Sequence, residues 1–308
     1  MAKIERQRNS WPALVPLKDW EDTCTTVHMW TQVIGKIRLE LSPWENHSWG
    51  SALYVSSKGL RSSLIPYNGF TFELEFNFVD HSLEITTSKG ISRSFELRPM
   101  SVSEFYRKTM DILKKSGIEV SIFTRPVEVE VAIPFENDTI HKSYDSDVMH
   151  SYWQSLLQVD RVFKEFRAGF IGKSSPSHFF WGAFDLAVTR FSGRTAPKHP
   201  GGAPNCADWV MEEAYSHELS SAGFWPGAGL GEPAFYSYTY SEPSGFQVSD
   251  IEPKEAYYNK DLGEFILPYS IVQSSTDPDA TLHAFLKSSY EAGANNGKWD
   301  RLALEKNL

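Results

Sequence analysis

Two stretches of this chain begin with a histidine, place Trp-Gly two or three residues later and continue into Leu-x-Val: HSWGSALYV at 47–55 and HFFWGAFDLAV at 178–188. Each follows a Ser-Pro turn, and each turn follows a segment of helical spacing. In the first segment Val27, Trp30, Val33, Ile34, Ile37 and Leu41 fall near one face. In the second, Trp153, Leu156, Leu157, Val159, Val162, Phe163 and Phe166 make a broad apolar face. Further on, RSFELRPMSV is echoed by GEFILPYSIV, and amphipathic helices are expected at 103–115 and 278–292. Three matches in one order predict a duplicated unit, and two copies are too few for a solenoid. The expected fold is α+β, with two similar halves related by a pseudo-twofold. Each half is an antiparallel β-meander covered by helices. The expected division is 1–135 and 136–308, with the halves tightly packed and the turn-prone PFENDTIHKSYDSD near the boundary.

Within the first half, FTFELEFNF alternates strictly. Phe70, Phe72, Leu74, Phe76 and Phe78 face one way, and Thr71, Glu73, Glu75 and Asn77 the other, as in a half-exposed antiparallel strand. Ser101 and Glu104 form a capping-box pattern, with Gly117 placed to end that helix. VSIFT and VEVEVAI are expected to be further strands.

The chain has 308 residues, 41% of them hydrophobic, enough for a large core. Its net charge of -9 and lack of a basic block argue against a nucleic-acid partner. No apolar run follows the first basic residues, and none is long enough to span a bilayer. The expectation is therefore no secretory signal and no membrane partner. Cys24 and Cys206 share no ligand spacing, consistent with reduced thiols in the cytoplasm.

The stretch HFFWGAFDLAVTRFSGR is the most informative for function. Read as one long strand, it carries Phe179, Trp181, Ala183, Asp185, Ala187, Thr189 and Phe191 on one face, and His178, Phe180, Leu186, Val188 and Arg190 on the other. Gly182 is a candidate bend or bulge. Both faces are largely apolar, so Asp185 is expected to be buried, and a buried carboxylate must be paired or protonated. Arg190, Arg194 and His217 are its candidate partners. Two readings stay open: a structural ion pair, or the polar end of a ligand pocket in the C-terminal half. In the pocket reading the arginines hold a carboxylate or phosphate of an anionic small molecule, and His217 or Glu218 moves a proton if there is chemistry. Trp181, Trp225, Tyr236, Tyr238 and Tyr240 supply the walls. The three tyrosines alternate along FYSYTY and so share a strand face, which alternatively makes an exposed aromatic ladder.

Other chemistry is less well supported. His178, Asp185, His217 and Glu218 are the residues a metal would use, but HExxH and HxH are absent. The loop FSGRTAPKHPGGAPN has neither phosphate-loop pattern and reads as a surface connection or a lid. GxSxG is missing, and Cys206 near His199 is a weak nucleophile pair. No cofactor is indicated.

SPSHFFWGAFDLAVTRFSGR, ADWVMEEAYSHELSSAGFWPG, PAFYSYTY and GEFILPY together resemble a family of bacterial proteins of unknown function. The resemblance extends over nearly the whole chain, to LSPWENHSW near its start. It implies a single-chain, soluble, cytosolic bacterial protein and assigns no activity. The leading expectation is a small-molecule binding protein. The alternatives are an enzyme using the same residues, metal-dependent or not, and an interaction protein that presents the tyrosines on its surface.

Overall fold

The computed structural model describes residues 11–306. The apolar stripe that includes Val27, Trp30, Val33, Ile34 and Ile37 lies buried on α1 (Glu21–Leu41), which stops before Pro43. Six antiparallel strands follow: β1 (Tyr54–Val55), β2 (Gly59–Arg61), β3 (Ile65–Tyr67), β4 (Phe70–Asn77), β5 (Ser82–Thr87) and β6 (Ser92–Glu96). They pair in the order β1-β2-β4-β5-β6, with β3 beside β4. The alternation in β4 is realised: Phe72, Leu74, Phe76 and Phe78 are buried. α2 (Val102–Lys115) begins where Ser101 accepts the Glu104 backbone N–H at 3.1 Å, and its last turn is followed by Gly117 at φ 79°. The Phe105 ring on α2 stacks on Trp30 of α1 at 4.8 Å and on Phe76 of β4 at 5.9 Å, so one aromatic column joins both helices to the sheet. Removing Phe105 from it would cost about 3–5 kcal/mol.

The second half again runs from a long helix into six strands, with a short helix set between the second and third of them. α3 (Ser146–Ala168) leads into β7 (His178–Phe180) and β8 (Asp185–Thr195). Then come α4 (Asp208–Ala214), β9 (His217–Trp225), β10 (Ala234–Tyr240), β11 (Tyr257–Asn259) and β12 (Glu264–Pro268). α5 (Tyr269–Ser274), α6 (Pro278–Asn296) and α7 (Arg301–Leu304) complete the described chain. The sheet order is β11-β12-β10-β9-β8-β7, all antiparallel. The fold is thus α+β with two similar halves, each a six-stranded antiparallel sheet between helices. The strand orders differ, because β12 inserts between β10 and β11.

The two halves meet at the two similar stretches. Leu53 and Phe179 exchange both backbone hydrogen bonds, at 2.8 and 2.7 Å. Trp181 donates its indole N–H to the Ser51 carbonyl at 2.9 Å. One continuous hydrophobic core runs through both halves.

Two expectations need correction. HFFWGAFDLAV is a hairpin and not one strand. β7 and β8 are joined by a tight turn in which Phe184 sits at φ 58°, and His178 pairs with Ala187 and Phe180 with Asp185. Reversing the chain at this turn moves His178 and Phe180 onto the face of Asp185. The expected strands VSIFT and VEVEVAI are irregular chain at 118–134. Pro126 interrupts them and Glu128 takes a left-handed conformation at φ 59°. Backbone groups there bond to side chains and loops. Gln32 of α1 holds both the N–H and the C=O of Val127, at 2.9 and 2.8 Å, and the Glu128 N–H reaches the Pro204 carbonyl.

Candidate functional site

The second sheet has one face against helices and one face on a cavity. On the helix side, Leu186 and Val188 of β8, Phe224 of β9 and Phe235 of β10 are buried. On the other side, Asp185, Ala187, Thr189 and Phe191 of β8, Leu219, Ser221 and Trp225 of β9, Tyr236 and Tyr238 of β10, and Glu264 of β12 line a cavity of about 390 Å³. The period-2 geometry of each strand makes this selection. Three segments cover the cavity: His47 to Trp49 from the first half, the irregular chain at Glu128, and α4 with Val210, Met211 and Ala214.

At its centre, the Tyr236 hydroxyl donates to Asp185 Oδ2 at 2.5 Å. Burial pushes the Asp185 carboxyl up to about 6, and the tyrosine hydrogen bond opposes that rise. Gly223 lies opposite Tyr236 in the β9–β10 ladder, and its missing side chain gives the ring its place. The Tyr215 and Tyr238 hydroxyls meet at 2.8 Å, and those of Thr189 and Ser221 at 2.9 Å. The Tyr236 and Tyr238 rings are stacked at 6.0 Å, and the Trp225 ring meets Tyr236 at 5.7 Å.

Two further carboxylates face this space. Gln32 fixes Val127, which carries Glu128 over Gly182. A Cβ on Gly182 would come within 2.1 Å of Glu128 Oε1, so any larger residue there would make the carboxylate shift. Glu128 is an exposed residue at the cavity mouth, although protein crowds its carboxylate on the cavity side. Burial first, and the Asp185 charge second, raise it to about 7. Glu264 is raised to about 8 by the same two causes. No Lys or Arg lines the cavity.

Four of the ten expected site residues are therefore brought together: Asp185, Trp225, Tyr236 and Tyr238. The other six lie elsewhere. Trp181 is buried between the halves, its ring against Gly35 and 5.7 Å from Lys36 Nζ. Arg190 points to the helix side of β8, with its guanidinium carbon 3.4 Å from the Phe166 ring centre and 4.4 Å from that of Tyr290, and it donates to the Phe166 carbonyl. Arg194 and Glu218 form an ion pair at 2.6 Å, and Arg194 also donates to the Gly297 carbonyl. The His217 ring meets the Ser216 hydroxyl at 3.0 Å and lies 6.5 Å from the His47 ring. Tyr240 shares the face of Tyr236 and Tyr238, but it donates to the Pro197 carbonyl and packs on His199. The expected partners of Asp185 are thus replaced by Tyr236. His178, Asp185, His217 and Glu218 do not converge either; among the described residues no three His, Cys, Asp or Glu side chains stand close enough to hold a metal.

Glu128, Glu264, Tyr215 and His47 are among the cavity residues that sequence reasoning missed. Glu264, the one acid in the GEFILPY run, carried a usable signal. Glu128 sat in a pattern that mimicked a strand.

Fold and site together define an α+β protein of two six-stranded antiparallel halves with a tyrosine- and carboxylate-lined cavity on one sheet face. The chain belongs to a family of unknown function, DUF5996, whose model matches residues 11–306. No curated protein and no solved structure matches it.

Proposed function

We propose that this protein binds a small organic molecule in the cavity between the second sheet and α4. The observation that carries the reading is the convergence of apolar walls with a few directed polar groups, the Asp185–Tyr236 pair foremost, in a space of about 390 Å³. Ligand sites commonly have this composition and size. Tyr236 and Tyr238 face the cavity and not the outer surface, which favours a ligand over a docking partner. No helix among the described residues is long and apolar enough to cross a membrane, and the net charge of -9 favours neither nucleic acid nor an anionic bilayer. A cytosolic setting fits the two unpaired cysteines. Internal duplication fits a helix leading into six antiparallel strands and closing helices in both halves, although α4 interrupts the second set of strands.

A catalytic reading has one observation in its favour. Asp185, raised to about 6 and bonded to a tyrosine hydroxyl, is suited to exchange a proton near neutral pH.

The test is a ligand-observed NMR fragment screen on the full chain and on Ala183→Phe. That substitution lies in the exposed β7–β8 turn, at the cavity wall, and fills the space without touching the core. The expected result is a set of hits lost in the variant. No hits, or the same hits on both proteins, would overturn the proposal.

A further inference from the structure

This inference rests on the cavity reading and specifies what the cavity takes. Glu128, Asp185 and Glu264 face one space, and both glutamates feel the charge of Asp185. Several carboxylates elsewhere in the chain are neutralised in place: Glu218 by Arg194, Glu305 by Arg301, Asp160 by Lys164. Within the cavity no such neutralisation occurs. Asp185 is held by a neutral hydroxyl, and the carboxylates of Glu128 and Glu264 have no hydrogen-bond or ion-pair partner among the described residues. Like charges in one poorly solvated space repel, and a cation placed among them removes that cost.

The walls add a second, independent preference. Trp225, Tyr236 and Tyr238 bring π faces and edges to the same end of the sheet, and such faces attract cations, most strongly when water is excluded. Farther along β8, Ala187, Phe191 and Met211 offer apolar surface for an uncharged body around the Thr189–Ser221 hydroxyl pair, and the Lys173 ammonium, 4.9 Å from the Phe191 ring centre and bonded to His47, marks the end away from the three carboxylates. The arginines that an anion would need lie on the opposite sheet face and at the outer edge.

We propose that the ligand is an organic amine, its ammonium group among Glu128, Asp185 and Glu264 and its apolar body along β8. An ammonium is a compact donor that can bond one of these carboxylates while the charges of the other two favour it across the cavity, and the Tyr215–Tyr238 hydroxyl pair faces the same space. The upward displacement of all three carboxyls fits this use, because a bound cation restores their ionised form.

The experiment is calorimetric titration of the full chain with benzylamine, benzyl alcohol and benzoate, which share one ring and differ in charge. Benzylamine is expected to bind about tenfold or more tighter than benzyl alcohol, with benzoate weakest. Glu264→Gln and Glu128→Gln keep the shape and remove the charge. Each is expected to cost benzylamine about tenfold and leave benzyl alcohol unchanged. Benzyl alcohol or benzoate binding as well as benzylamine would overturn the amine assignment and leave the cavity reading standing. Binding of none of the three at millimolar concentration would overturn both. The wild-type series decides the matter even if a variant fails to fold.

Discussion

Gly223 and Tyr236 face each other across the β9–β10 ladder, and a Cβ on Gly223 would lie 2.3 Å from the tyrosine ring. A glycine inside a strand normally weakens it, so alanine there would otherwise stabilise by about 0.5–1 kcal/mol. Here the clash decides the sign. Gly223→Ala is expected to lose about 1–3 kcal/mol in urea unfolding, because the ring must leave its place and its bond to Asp185. Wild-type stability in this variant would mean that the ring has room to move.

The Asp185–Tyr236 bond should have a pH signature. The hydroxyl stabilises the ionised carboxylate, so Tyr236→Phe sends the Asp185 pKa further above about 6. The loss of stability should be about 1.5–3 kcal/mol at pH 8, where Asp185 is ionised, and smaller at pH 5, where it is protonated. Urea titrations of both proteins at the two pH values give the comparison. An equal loss at both would show that the bond does not discriminate between the two forms.

Protein stability should carry two opposed pH dependences, one from buried acids and one from buried histidines. Glu128 and Glu264, raised from the ordinary 4.5 to about 7 and 8, hold protons in the fold that the unfolded chain has released, so their contribution to stability falls as pH rises from about 4.5 to 8, and above 6.5 the histidines no longer oppose it. His28 and His178, lowered by burial to about 4 and about 3, act in the other direction. The unfolded chain takes up protons below 6.5 that the fold refuses, so stability falls with acid. Asp185 and Tyr215 face the same carboxylates, and Cys206 adjoins Glu128. The double variant Glu128→Gln, Glu264→Gln isolates the two glutamates. It should lose much of the decline between pH 6.5 and 8 and keep the acid limb. An unchanged alkaline decline would assign it to other groups.

Arg190 and Arg194 should affect stability and leave the cavity alone. Arg190→Ala removes a buried guanidinium packed on two rings and should cost about 2–4 kcal/mol. Arg194→Ala breaks an exposed pair and should cost at most about 1 kcal/mol. Neither should change benzylamine affinity of the folded protein. A tenfold loss in either would place an arginine at the ligand after all.

Local rules were legible wherever one element decides them. The stripe that includes Val27 and Ile37 needs only the 3.6-residue period to become α1, β4 needs only the period of two, and Ser101 needs only the donors left open at a helix start. The burial of Asp185, and the shared face of Tyr236, Tyr238 and Tyr240, followed from the same alternation.

The tertiary structure decided which of those faces meet. Two-residue parity is continuous along a strand, but it is reset by a turn, so the hairpin at Phe184 reassigned His178 and Phe180 and left Arg190 opposite Asp185. Glu128 reaches the cavity because Gln32, on a helix far away in sequence, holds Val127 by both backbone groups where a neighbouring strand was expected. Sequence alone thus determined two α+β halves and a buried carboxylate near a row of tyrosines. The convergence of Glu128, Asp185 and Glu264 arises only when three distant segments close on one sheet face, a long-range packing outcome that no local periodicity encodes.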